Sequence, residues 1–455
     1  MAKIARPVAD PRGDYRKKLV APEEAVKMVK SGDRIMYGEF VCVPVELDAA
    51  LAKRKEELYD VWLYTNTLTF VPQVSLADPT HEHFLHNDLS FSVVGRKLSD
   101  AGLCFHVPCA YTGCYPGLRG YEDRPNVCFV AVGPMDDKGF FNFGPTSSLN
   151  PLMLEICDRI VVEINTNLPK VIGGAEYAIH ISQVDAIVEG KNPQLLQVPK
   201  LEASENDEKI ARNIMTELED GICLQLGIGG MPNKVGELIA ASDLKDIGVH
   251  TEMLVDSYVD IWDAGRITNQ KKTIDRGKFT FTFAMGSDKV YNFVDQNPLC
   301  NIMPPTYTNE PSIIARNENV VSICSCLEVD LTGQVSSESI GPRQISGTGG
   351  QFDFIFGAFH SQGGKGFLCL NSTSTDKQGN LISRIVPGLS PSTVVTVPRW
   401  ASQYIVTEYG VAKLKAKPTW ARAEALINVA HPSLRDELIK HAEANKIWRY
   451  TNKQS

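Results

Sequence analysis

The chain has 455 residues, which suggests two or three domains, and its 43% hydrophobic and 22% charged side chains describe a soluble globular protein. A net charge of −8 argues against nucleic acid as a partner, and its sign argues against an anionic membrane surface. No apolar run is long enough to span a bilayer, and the first residues, Met-Ala-Lys-Ile-Ala-Arg-Pro7, lack an apolar signal core. In chain order, a polar segment to about Lys18 is expected to wrap the surface. Pro22 to Val29 reads as a helix with proline in its first turn. Asp33 to Gly38 is a strand, Val45 to Leu58 an amphipathic helix, and Asp60 to Asn66 a second strand.

The same order recurs later. Asp33–Gly38 matches Asp220–Gly227, Pro44 matches Pro232, and Asp60–Asn66 matches Asp246–Glu252. Asn126-Val-Cys-Phe-Val through Gly139 resembles Asn319-Val-Val-Ser-Ile through Gly333. Ile187-Val-Glu189-Gly190 resembles Ile405-Val-Thr-Glu408-Tyr-Gly410. Matches in one order predict a duplicated α/β domain. Asn192 to Glu208, rich in proline and charge, reads as the linker, so the domains are expected at 1–200 and 201–455.

The centre of the second half is Leu224-Gln-Leu-Gly227-Ile228-Gly229-Gly230-Met231-Pro232, followed by Ile247-Gly-Val-His250-Thr-Glu252. It reads as strand, glycine turn, helix, short strand and a glutamate at that strand's end. Ligands of open α/β sheets sit at the carboxyl ends of the strands. The turn is not a dinucleotide fingerprint, because Pro232 occupies the sixth position, nor a P-loop, because Gly-Lys-Ser/Thr is missing. A plain tight turn and a solvated glutamate stay open as the alternative. The first half has Asn66 where the second has Glu252, so only the second half pairs a glycine loop with a carboxylate.

A second glycine run, Ser346-Gly347-Thr-Gly349-Gly350-Gln351, precedes an apolar segment. It is either a turn or a place where backbone approaches a ligand. Ser383 to Pro387 and Val394 to Arg399 offer strands carrying Arg384 and Arg399, which suit a phosphate or an exposed ion pair. Helices are expected at Ala421–Val429 and Leu434–Ala444. Asp136 and Asp137 read as a hairpin turn. Cys114 in Thr112-Gly-Cys-Tyr-Pro-Gly117 is a candidate thiol, with an inert cysteine in a turn as the alternative. The eleven cysteines contain no C-x-x-C pair and read as reduced thiols of a cytoplasmic protein. No metal-ligand spacing and no G-x-S-x-G elbow occur.

The chain resembles the acetyl-CoA hydrolase/transferase family of class I CoA-transferases, most of all those acting on 4-hydroxybutyrate or butyrate. The resemblance rests on Gly133-Pro-Met-Asp136-Asp-Lys-Gly139, Glu163-Ile-Asn165, Gly227-Ile-Gly-Gly-Met-Pro232-Asn, His250-Thr-Glu252-Met, Leu327-Glu-Val-Asp330, Ser346-Gly-Thr-Gly-Gly-Gln351, Ser383-Arg-Ile-Val-Pro387 and Val406-Thr-Glu-Tyr-Gly410. It implies two related α/β domains with the active site in the cleft between them. It implies Glu252 as nucleophile, Gly227, Ile228, Gly229, Gly230 and Met231 as the coenzyme A loop, and Gly347, Gly349 and Gly350 as a second loop. It places a carboxylate-holding asparagine at Asn309. A coenzyme-contacting asparagine of the family falls on Cys324, within Ser322-Ile-Cys324-Ser. A thiol cannot supply an amide's donor and acceptor together, so that contact is expected to differ.

The activity implied is transfer of coenzyme A between a short-chain acyl-CoA (butyryl, 4-hydroxybutyryl, propionyl or acetyl) and a carboxylate such as acetate. It would run ping-pong through a glutamyl-CoA thioester. Acyl-CoA hydrolysis by the same glutamate is the alternative. Coenzyme A would enter as substrate, with neither metal nor nucleotide, and the protein would be a homodimer or a higher homo-oligomer.

Overall fold

The computed structural model describes residues 3–174 and 176–449. They form two compact units. The first comprises the chain up to Val198, together with Glu252–Leu254 and Thr280–Thr308. The second comprises Pro199–Thr251, Val255–Phe279 and the chain from Asn309 onward.

The first unit is built on strands β1 (Arg34–Tyr37), β2 (Val61–Thr65), β3 (Phe84–Asp88), β4 (Phe105–His106), β5 (Val127–Val132), β6 (Arg159–Ile164) and β7 (Ala186–Glu189). They lie in the order β4-β3-β2-β1-β5-β6-β7, every pairing parallel. Parallel strands carry helices on both faces, so they read as unbroken apolar runs. Val-Cys-Phe-Val-Ala-Val of β5 is such a run, and all of it is buried. Ile35, Leu63, Phe129 and Val161, from four neighbouring strands, meet in one core.

The second unit repeats the plan. Its strands are β8 (Cys223–Leu226), β9 (Gly248–Val249), β10 (Val320–Ser325), β11 (Lys365–Cys369), β12 (Tyr404–Thr407) and β13 (Gly410–Lys413). Their order is β9-β8-β10-β11-β12-β13, parallel except for the final hairpin. The run β2-β1-β5-β6-β7 of the first unit and β9-β8-β10-β11-β12 of the second are the same topology, strand for strand. The duplication expected from the sequence is therefore present in the fold.

The expected cut near residue 200 lies beside the Val198–Pro199 crossing, but a single cut does not describe the units. Two segments of the second half return to the first unit. Met253–Leu254 pairs with Phe283–Ala284, and the N–H groups of Ser147 and Ser148 both donate to the Thr282 carbonyl.

Several elements are shorter than the periodicity suggests. Pro22–Ala25 gives way to a 3₁₀ turn at Val26–Met28, and Val45–Ala52 ends before another at Lys55–Glu57. Arg54 ties the two ends together by donating to the carbonyls of Val26 and Val29. Strand β9, at the edge of its sheet, is only two residues long. Its outer N–H and carbonyl, both on Val249, are taken by the side chains of Asn269 and Lys272. Val394 to Pro398 makes one bridge, Val335 with Val397, instead of a strand, and Pro398 has no N–H to continue it. Cys114 lies in the helix Tyr111–Arg119 and is buried there, not in a turn. Asp136 does close a turn, accepting from the N–H groups of Lys138 and Phe140 at 2.9 Å each.

Candidate active site

Glu252 lies just past the carboxyl end of β9, where the chain passes from the second unit to the first. The residues leading to it are anchored. His250 is buried and lies 3.3 Å from the Asn317 amide. Beneath the strand, the buried Lys272 ammonium donates to the carbonyls of Val249 and Lys278 at 2.7 and 2.8 Å. Burial pulls the pKa of that lysine down to about 8. The Glu252 carbonyl accepts from Thr282 and Phe283 at 3.0 and 3.3 Å. The carboxylate thus rides on a fixed backbone while its side chain stays half-buried.

A second acid, unnoticed in the sequence, belongs to the same unit. Glu39 follows β1 in the turn Gly38-Glu39-Phe40 and is fully buried. Its Oε1 accepts from the Asn66 amide at 2.5 Å, and its Oε2 accepts from the Leu149 N–H at 2.7 Å. The Ser148 hydroxyl also donates to Oε2, and the Tyr111 phenol is hydrogen-bonded to that same hydroxyl. Burial pushes the Glu39 pKa up to about 7, against the pull of these donors. Tyr111 is buried too, and its pKa is raised first by burial and then by the charges of Glu39 and Glu252. The phenol is therefore within electrostatic reach of both carboxylates. Asn66, the positional counterpart of Glu252 in the repeat, is a ligand of Glu39.

Backbone strain marks the same place. Phe40 and Ser148 have φ of 52° and 47°, a region that L side chains enter at a cost of about 1–3 kcal/mol. Phe40 spends it stacking on Phe283, ring centroids 3.7 Å apart. Ser148 spends it turning its N–H to the Thr282 carbonyl at 3.2 Å. The two strained residues flank Glu39 and grip the strand that holds Glu252.

In the second unit, the glycine turns gather at the carboxyl edge of the sheet. Gly227 donates to the Ile323 carbonyl of β10 at 3.0 Å. Gly229, at φ 124° and ψ 179°, is the N-cap of the helix Gly230–Ala241, a conformation open only to glycine. A Cβ on Gly230 would stand 2.9 Å from the Glu202 carbonyl. Ile228 is exposed and Met231 buried. The second run ends in Gly349, at φ 53°, and Gly350, the N-cap of the helix Gln351–His360. Gln351 ties that run to the end of β10 by donating to the Ser325 carbonyl at 2.7 Å. The Gly347 carbonyl accepts from Ser346 at 3.1 Å. Cys324 is buried, its thiol 3.6 Å from both Gln225 and Ser322. Asn309, the first residue after the chain returns to this unit, is fully buried. The structure thus joins Gly227–Met231, Cys324 and Gly350 at one sheet edge, while Glu252 belongs to the first unit.

Among the described residues, no group of three or more His, Cys, Asp or Glu side chains is placed to hold a metal. No helix among them is long and apolar enough to cross a membrane.

Residues 1–197 match the acetyl-CoA hydrolase/transferase N-terminal domain, and residues 286–442 match the corresponding C-terminal domain. A butyryl-CoA:acetate CoA-transferase of Anaerostipes caccae is 47% identical over 97% of this chain and 99% of its own. The chain belongs to the acetyl-CoA hydrolase/transferase family. Other members are similar throughout. A 4-hydroxybutyrate coenzyme A transferase of Clostridium kluyveri is 38% identical over 93% of this chain and 97% of its own. The crystal structure of RipA from Yersinia pestis superposes with a TM-score of 0.86 at 34% identity, covering 96% of this chain and all of that one. As a member of this family the protein is an enzyme, a CoA-transferase working between an acyl-CoA and a carboxylate.

Proposed function

We propose that the enzyme moves coenzyme A between a short-chain acyl-CoA, such as the butyryl, 4-hydroxybutyryl, propionyl or acetyl thioester, and acetate or a similar acid, with Glu252 as nucleophile. The observation that carries the reading is the setting of Glu252: a half-buried acid on a backbone pinned by Thr282 and Phe283. Its carboxylate attacks the thioester carbonyl, forming an acyl-glutamyl anhydride and expelling the CoA thiolate. The thiolate attacks the glutamyl carbonyl, and the first carboxylic acid leaves as its anion. The glutamyl-CoA thioester that remains is attacked by the second carboxylate, and the steps reverse. One thioester is exchanged for another, so the sequence balances without an energy source, and covalent storage gives ping-pong kinetics.

In this reading the backbone of Gly227–Met231 and of Gly347, Gly349 and Gly350 lies along coenzyme A, with Cys324 beneath it. Asn309 orients the carboxylate substrate. An N–H aimed at the developing oxyanion contributes about 2.7–4 kcal/mol to such a step. A homodimer or higher homo-oligomer is part of the same proposal, and light scattering tests it.

Incubation with butyryl-CoA and no acceptor should leave CoA covalently attached, visible by intact-mass spectrometry. Peptide mapping should place it on Glu252. An adduct on another residue, or none with any short-chain acyl-CoA, would overturn the reading. The family's own description includes hydrolases. CoA release that continues at full rate without a carboxylate acceptor would assign this member to them.

A further inference from the structure

The chain of contacts from Glu39 through Ser148 to Tyr111 does more than fill space. We propose that Glu39 is a positioning residue that sets the direction of this hydroxyl chain: protonated, it frees Tyr111 to donate a hydrogen bond on the Glu252 side, and ionised, it makes Tyr111 an acceptor there. The inference rests on Glu252 being the nucleophile.

The protons in this chain can be counted. An ionised carboxylate only accepts. Leu149 and Asn66 already donate to Glu39, and Ser148 must donate as well. Ser148 has a single proton. Once it is given to Glu39, Tyr111 can keep its bond to Ser148 only by donating its own proton to that oxygen. The phenol then offers lone pairs to whatever lies beyond. A protonated Glu39 reverses this. Its Oε2–H donates to Ser148, Ser148 donates to Tyr111, and the phenol O–H is released. The one proton gained comes from solvent, and the rest is hydroxyl rotation.

The polarity matters because each step on Glu252 builds a negative oxygen. A donor there stabilises it, and lone pairs repel it. The charge of Glu39 bears on Cys42 in its own turn, on Asp88 at the end of β3 and on Tyr111 of the helix Tyr111–Arg119, raising the pKa of each, and Glu252 bears on Tyr111 in the same sense. Cys114, on that same helix, bears on Tyr111. Burial favours the protonated form, against the pull of Ser148, Leu149 and Asn66, and a pKa of about 7 puts the reversal in the neutral range. Activity should therefore be fully present below this value and fall as pH rises through it.

Substitution by glutamine separates polarity from packing. The Leu149 N–H can only donate, so it holds the oxygen of the new amide, and the NH₂ turns to Asn66, which can flip. That oxygen accepts from Ser148 as the ionised carboxylate does. Glu39→Gln should therefore be locked in the acceptor polarity. Its kcat should be lower by roughly a hundredfold and flat across about pH 6 to 9, with KM for acyl-CoA little changed. Tyr111→Phe, which lacks the hydroxyl, and Ser148→Ala, which cuts the chain, should each lose the neutral-range limb. A merely structural Glu39 predicts the opposite: Glu39→Gln with the parent kcat and the parent limb. That result, with the CoA adduct still mapping to Glu252, overturns the proposal and leaves the nucleophile standing. Should Glu39→Gln fail to fold, a neutral-range limb that persists in both Tyr111→Phe and Ser148→Ala overturns it. An adduct away from Glu252 counts against the nucleophile instead.

Discussion

The ring of Phe40 lies flat on that of Phe283, 3.7 Å between centroids, and the Phe283 N–H donates to the carbonyl of Glu252. A residue in the first turn after β1 thereby buttresses the backbone of the proposed nucleophile.

This contact can be tested through its strain. Removing a buried phenylalanine ring typically costs about 3–5 kcal/mol. Phe40 has φ 52°, so alanine would keep the backbone penalty and glycine would relieve it. Phe40→Gly should be less destabilising than Phe40→Ala by about 1 kcal/mol, although both lose the same ring. Urea denaturation of the two variants decides it. Equal midpoints would mean the turn carries no strain.

Gly227 and Gly229 of the first loop should behave differently. Gly229 has φ 124° and ψ 179°, so even alanine is strained there, although the nearest atom to its Cβ would be 3.8 Å away. Gly229→Ala should lower stability by about 1–3 kcal/mol. At Gly227 the φ is ordinary and a Cβ would meet the Ile323 carbonyl at a normal 3.4 Å. Gly227→Ala should fold like the parent and raise KM for acyl-CoA. Unchanged KM in a folded Gly227→Ala protein would remove this residue from the coenzyme loop.

Much of this organisation is legible in the sequence. Strands such as Val127–Val132 announce themselves because both faces of a parallel sheet are covered. The repeat singles out Glu252 by contrast with Asn66. The network around Glu39 is not legible, because its partners are far apart in sequence: Ser148 follows by 109 residues. One signal was available, a lone acid within the apolar run Ile35-Met-Tyr-Gly-Glu39-Phe-Val-Cys-Val. Nor can a linear cut show that Glu252–Leu254 joins the first unit, since that depends on a pairing with Phe283–Ala284.

Lys272 makes stability depend on alkaline pH. Its pKa falls from 10.5 to about 8 on folding because the ammonium is buried under β9. Between these values the unfolded chain holds a proton that the folded one has released. Stability should therefore rise as pH goes from about 8 toward 10, by a few kcal/mol at most, at 1.36 kcal/mol per unit. Lys272→Met should lack this rise. Denaturation midpoints of parent and variant at the two ends of the window give the comparison, and parallel changes in both would show that other groups carry the effect.

The backbone around Glu252 sets up the sharpest test. Its carbonyl is held by Thr282 and Phe283, and Met253–Leu254 is paired with Phe283–Ala284. The main chain therefore cannot slide forward to make up for a shorter side chain. Glu252→Asp keeps the charge and withdraws it by one methylene, a displacement of about 1 Å, which costs roughly a hundredfold in rate when a reacting group is misplaced. The loss should fall on kcat, with KM for acyl-CoA nearly unchanged, because the shorter acid leaves coenzyme contacts alone. Glu252→Ala should lose transfer almost entirely while melting close to the parent, since a carboxylate that is not fully buried contributes little packing. An aspartate variant with near-parent kcat would mean that the carboxylate is not the attacking group, or that the pinned backbone moves after all. Amide exchange at Thr282 and Phe283 would tell these apart.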